Sequence, residues 1–191
     1  MRSTPGLSRR VERRRLRFNL LLVAAFVFAG SAAAEPQHFG FGRPATPQEL
    51  GSEDIDVRAD GAGLPPGQGS VEQGAALFAS TCAACHGERG EKPVIPALRL
   101  VGGRGTLATP GPVQTVGSYW PYATTLFDYI RRAMPFSAPQ SLTADQVYAV
   151  TAYLLNLNGI VPDGTVLDAA TLPKVQMPNR NGFTSVYVPN R

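Results

Sequence analysis

Cys82, Cys85 and His86 stand close together in STCAACHGERG, residues 80–90 of a 191-residue chain whose full count is two cysteines and two histidines. Four chemistries use residues of these types. A disulfide across C-x-x-C closes so short a loop that it restrains little of the unfolded chain. A dithiol redox pair belongs in a βαβ setting, and no such pattern surrounds the motif. A zinc site takes about four ligands, and His38 is the only further histidine. The fourth chemistry is thioether attachment of a haem, in which both thiols add to vinyl groups and the adjoining histidine lies beneath the iron. C-x-x-C-H carries that specific meaning. The motif therefore predicts one covalent haem c on Cys82 and Cys85, with His86 as proximal iron ligand.

The opposite face of the iron needs its own ligand. Beyond residue 34 the methionines are Met134 and Met177, each followed by a proline. Met134 falls between two amphipathic segments, where an exposed Met-Pro fills a core poorly. That placement favours Met134 as axial ligand, with Met177, His38 and an open position as alternatives. Methionine ligation favours the ferrous state and raises the potential. Iron held by two protein ligands offers no position to a substrate, so the expected work is one-electron transfer.

The motif must be carried by helices. Ser70 and Gln73 form a capping-box pattern, and Val71, Gly74, Ala75 and Phe78 share a face of a helix that runs into the cysteines. Residues 87–118 are rich in Gly and Pro and read as loop. A second helix spans Thr124 to Ala133, with Leu126, Tyr129 and Ile130 inward, and Met134-Pro135 ends it. Thr143 and Gln146 open a third, with Val147, Val150, Thr151 and Leu154 on one face and Gly159 at its close. No strand pattern stands out. The expectation is an all-α domain over residues 70–160, three main helices whose small core a bound group would complete.

Residues 35–69 and 161–191 read as extended arms, lying on the domain or ordered by a partner; PATPQEL could form one helical turn. Residues 1–34 have a signal-peptide layout: arginines, then the uncharged FNLLLVAAFVFAG, then SAAAE. An uncleaved anchor is the alternative. This leader carries seven arginines and one glutamate, a net +6, which leaves −2 on residues 35–191 although the whole chain is +4. A mildly acidic folded part removes the electrostatic basis for nucleic-acid binding. The expected location is the periplasm, with no stable membrane insertion after cleavage.

GAALFASTCAACHG, PAL at 96–98, RRAMPF and LTADQVYAVTAYLLNL together resemble a class I cytochrome c across residues 70–158. The resemblance implies that fold, with Gly74 and Phe78 facing Tyr153 and Leu154. It also implies a loop proline, Pro96, whose carbonyl accepts the proximal histidine's N–H. Tyr119, Trp120 and Tyr122 would pack against haem, or the Trp120 N–H or a tyrosine hydroxyl would bond a haem propionate. Arg131 and Arg132 read as a solvated face, or as partners of propionates or of an acidic protein.

The arm ATPQEL…DIDVRADGAGLPPGQGSVEQG, the block TVGSYWPYATTLFDYIRRAMPF and the tail LPKVQMPNRNGF resemble the cytochrome subunit of bacterial sulfite or sulfane dehydrogenases of the sulfur-oxidation system. That implies a non-catalytic subunit of an oxidoreductase complex. It would accept electrons from a molybdenum-cofactor dehydrogenase subunit and pass them to another c-type cytochrome. Sulfane dehydrogenase cytochromes of this type often carry two haems, and one C-x-x-C-H favours a sulfite dehydrogenase-like or abbreviated version. The rival readings are a free periplasmic shuttle and a haem enzyme such as a peroxidase.

Overall fold

A capping box opens the first helix: Thr46 Oγ1 accepts from the Glu49 N–H at 3.2 Å, and the Glu49 carboxylate accepts from the Thr46 N–H at 2.8 Å. With a proline in its first turn, α1 runs over Pro47–Glu53, longer than the single turn expected of PATPQEL. The computed structural model describes residues 40–93 and 99–184. The chain divides into two units, Met1–Ala45 and Thr46–Arg191. Residues 40–45 of the first unit are exposed and form neither helix nor strand. The leader expected at residues 1–34 and His38 lie outside the described residues, and no described helix is long and apolar enough to cross a membrane.

In the second unit, β1 (Gln68–Ser70) pairs antiparallel with β2 (Val166–Asp168), Gly69 opposite Leu167. Strands of three residues are too short to show alternation, and for that reason the sequence reading contains none. Ser70 then caps α2 (Val71–Leu77) by the expected box with Gln73. A π-helical turn, Phe78–Cys82, continues into α3 (Ala83–His86). After the long loop come α4 (Ala123–Ala133) and α5 (Ala144–Leu157). Thr143 and Gln146 cap α5 as expected. Gly159, at φ 64°, closes it: the Gly159 N–H donates to the Asn156 carbonyl at 2.7 Å and the Ile160 N–H to the Leu155 carbonyl at 2.9 Å. This reciprocal pair satisfies carbonyls that the helix end would leave unbonded.

The core forms where α2 crosses α5. A Cβ added to Gly69 or Gly74 would overlap the Ala149 backbone, and at Gly74 it would also stand 2.7 Å from the Tyr153 Cβ. Only glycine allows that approach. Phe78 meets Tyr153 with ring centroids 5.4 Å apart, and Phe127 of α4 meets Tyr148 of α5 at 4.5 Å. The inward stripe of α4 is Ala123, Thr124, Leu126, Phe127 and Ile130. Tyr129, expected inside, is 48% exposed. The adjacent Phe127 takes the buried place, because the stripe turns toward 123 and 127 rather than toward 129.

The flanks contribute to the same core. Val57 from the N-terminal side, and Leu167, Leu172 and Met177 from the C-terminal side, are buried in it. The Tyr148 hydroxyl donates to the Pro65 carbonyl at 2.8 Å, and the Asp145 carboxylate accepts from the Gln68 N–H at 2.8 Å. Residues 55–70 and 166–177 thus lie on the helices.

Candidate functional site

The π turn ends with the Ala83 N–H donating to the Phe78 carbonyl, and α3 completes only four residues before it stops at Gly87, φ 77°. A Cβ at Gly87 would overlap the Lys92 carbonyl oxygen, so this glycine answers both a left-handed backbone and a close chain approach. Cys82 is half-buried, Cys85 exposed, and both are free thiols. His86 is half-buried in the last turn of α3. Burial pushes the Cys82 thiol up to about 11, and the charge of Cys85 adds to the rise. A raised thiol lacks the thiolate character that a dithiol redox centre uses. Among the described residues no group of three or more His, Cys, Asp or Glu is arranged to hold a metal; His38 lies outside them.

Cys82, Ala83, Leu100, Trp120 and Met134 are half-buried side chains packed on the core cluster. Beyond them Tyr129, 48% exposed, and Phe136, 87% exposed, present large apolar surface to water. Two unpaired thiols, a histidine at a helix end, a thioether and uncovered apolar area fit a large flat apolar group with a metal at its centre. Met134 caps α4 in extended backbone, its N–H donating to the Ile130 carbonyl at 3.0 Å. Met177, by contrast, is 3% exposed within the core. Pro96 lies outside the described residues.

The aromatic block is engaged on several sides. Trp120 stands edge-on to Tyr129, centroids 5.7 Å apart. Tyr122 carries the Arg180 guanidinium 4.9 Å above its ring centroid. The Tyr119 carbonyl accepts from Asn179 Nδ2 at 2.8 Å, and its ring meets Phe183 at 5.2 Å.

The two arginines of α4 do not form a merely solvated face. Arg131 Nη1 donates to the Ile55 carbonyl at 3.2 Å, and Arg132 pairs with Asp56 at 2.7 Å and Asp128 at 3.1 Å. Ile55 and Asp56 lie in the segment before the haem-motif helix, and Asp128 lies on α4 itself. The sequence gives no hint of that pairing, apart from the i, i+4 spacing of Asp128 and Arg132.

No motif or spacing in the sequence marks Asn158. Its Nδ2 donates to the Leu100 carbonyl at 3.2 Å and the Leu154 carbonyl at 2.9 Å, while its Oδ1 accepts from the Gly102 N–H at 3.2 Å. One side chain thereby pins the long loop to the end of α5. Thr115 and Ser118, both buried, stiffen that loop from within: the Thr115 N–H donates to Ser118 Oγ at 2.9 Å, and Ser118 Oγ donates to the Val113 carbonyl at 2.6 Å.

The family model described as cytochrome c matches residues 71–158. Among solved structures, a chain of the sulfane dehydrogenase SoxCD from Paracoccus pantotrophus is 47% identical. The match covers 77% of this chain and 72% of that one, with a TM-score of 0.72. No curated protein matches the chain.

Proposed function

The chain belongs to the cytochrome c family, and on that premise we propose that it is the periplasmic electron-transfer subunit of a molybdenum-cofactor dehydrogenase acting on sulfane sulfur or sulfite. It receives electrons from that subunit and hands them to another c-type cytochrome. Electron transfer with a covalently bound haem c is the family's function. The observation that carries the finer reading is the reach of the SoxCD match. It takes in 77% of the chain, more than the haem-binding stretch 71–158.

The bound haem supplies a one-electron iron couple. The chain's own residues do the rest. Cys82 and Cys85 would hold the haem through thioether links, and His86 and Met134 would supply the nitrogen and sulfur ligands to its iron. Ala83, Leu100 and Trp120 contribute apolar cover that keeps water away. Two side-chain ligands would leave the iron to electron transfer, and the sulfur chemistry would fall to the partner.

Affinity purification from the native host, with iron and molybdenum analysis, tests this. Copurification of a molybdenum protein with the iron-bearing chain is the expected result. A chain that purifies alone with iron and without molybdenum would replace this reading with a free shuttle. Rapid, tight carbon monoxide binding by the reduced protein would replace it with a haem enzyme.

A further inference from the structure

Four side chains of α4 reach back to residues 55–59. Thr124 Oγ1 donates to the Ala59 carbonyl at 3.1 Å, and Asp128 Oδ1 accepts from the Val57 N–H at 2.8 Å. Arg131 Nη1 donates to the Ile55 carbonyl at 3.2 Å. Arg132 meets Asp56 Oδ1 at 2.7 Å through Nη1 and Asp128 Oδ2 at 3.1 Å through Nε. Positions 124, 128 and 131–132 recur at helical spacing, so a polar stripe runs from the buried Thr124 along the edge of the inward face of α4. The Val57 side chain is itself buried in the core, which anchors the segment from below.

This stripe leads to the end of the helix. Arg131 and Arg132 occupy the last turn of α4, where a helix has the fewest internal bonds and frays first. Met134 follows directly, and after it residues 136–141 are exposed. The Met134 turn is held on one side by Ile130, buried in the core, and on the other by residues 55–59.

We propose that residues 55–59 are a strap that positions Met134, with Asp128 and Arg132 as its positioning residues, and that the strap governs how readily Met134 gives up the iron to a competing ligand. Movement of the last turn of α4 would free Met134, and that turn is tied to the strap by the Arg132–Asp56 pair, by the Arg131 bond to the Ile55 carbonyl and by the Val57 N–H on Asp128, with Asp128 also orienting Arg132 from within the helix. Charge-assisted bonds of this kind are stronger than neutral ones. The inference rests on Met134 being the axial ligand.

The test uses the full-length haem-loaded protein and imidazole as the competing ligand. Wild type, Asp128→Ala, Arg132→Ala and Ser70→Ala are compared for the rate of imidazole binding to the ferric form and for melting midpoint. Ser70→Ala removes a helix cap of a different helix and serves as the destabilised control. Asp128→Ala and Arg132→Ala should each accelerate binding, Asp128→Ala by about tenfold, while Ser70→Ala leaves the rate at wild type. Lower midpoints with wild-type rates in both strap variants would overturn the proposal, as would equal acceleration by Ser70→Ala. Should Asp128→Ala fail to fold, Arg132→Ala decides, since its side chain is 40% exposed. Persistence of the weak sulfur-to-iron absorption band in Met134→Ala would instead overturn the ligand assignment, whatever the strap variants do.

Discussion

Met134 and Met177 carry the same thioether into opposite surroundings: one half-buried at a helix end, the other 3% exposed among core residues. Their substitution should separate cleanly. Met134→Ala should abolish the sulfur-to-iron band of the ferric protein and change stability little beyond the lost bond. Met177→Ala should keep the band and lower unfolding free energy by about 2–5 kcal/mol, the cost of a cavity in a packed core. Denaturant unfolding followed alongside the visible spectrum measures both.

Tyr148 yields a second residue-level expectation. Burial, aided by the charge of Asp168, raises its hydroxyl from 10.0 to about 12. The unfolded chain therefore loses this proton first, and between those values the folded state binds more protons than the unfolded. Stability falls as pH rises through that window. Tyr148→Phe should flatten the decline above about pH 10 while costing roughly 1 kcal/mol at neutral pH for the lost bond to Pro65. Melting midpoints across alkaline pH would reveal a slope unchanged by the substitution if the assignment is wrong.

At the scale of elements, the helices that announce themselves in the sequence do so through local chemistry. The boxes Ser70/Gln73 and Thr143/Gln146 need only residues three apart, and the structure forms both. The glycine close at Gly159 is equally local. The β1–β2 pair and the contacts of residues 55–59 join parts of the chain far apart, each segment too short to show a period of its own. The likeness of the flanks to a known cytochrome subunit was legible, but the packing of these segments on α4 and α5 was not.

That packing gives a prediction about truncation. Removing residues 35–53 should leave the haem spectrum and melting midpoint near those of the longer chain, because Leu50 is 57% exposed and residues 46–51 make no buried surface. Extending the deletion to residue 65 removes Val57 and every α4 contact of the strap. It should lower the midpoint and perturb the Met134 band together. A spectrum that survives the longer deletion intact would argue against the strap.

For the whole molecule, the apolar surface left at Tyr129 and Phe136 and the half-buried set around Cys82 describe a core that a bound group completes. Small domains have little stability to spare. The double variant Cys82→Ala, Cys85→Ala, which cannot attach haem, should therefore melt far below the holo protein, or unfold without a cooperative transition in circular dichroism. A cooperative midpoint equal to the holo value would mean that the helices suffice alone. Haem attachment was legible from five residues. No motif names a partner, and the proposal of one rests on likeness over the greater part of the chain.

The ladder between Gln68–Ser70 and Val166–Asp168 brings the entry and exit of the haem-binding stretch side by side. Ends that meet in this way let a stretch of chain be entered and left at one place, the geometry that splicing into another chain or circular permutation exploits. A second copy of that stretch would have to bring Val57, Leu172 and Met177 with it, because the core draws on residues beyond both strands.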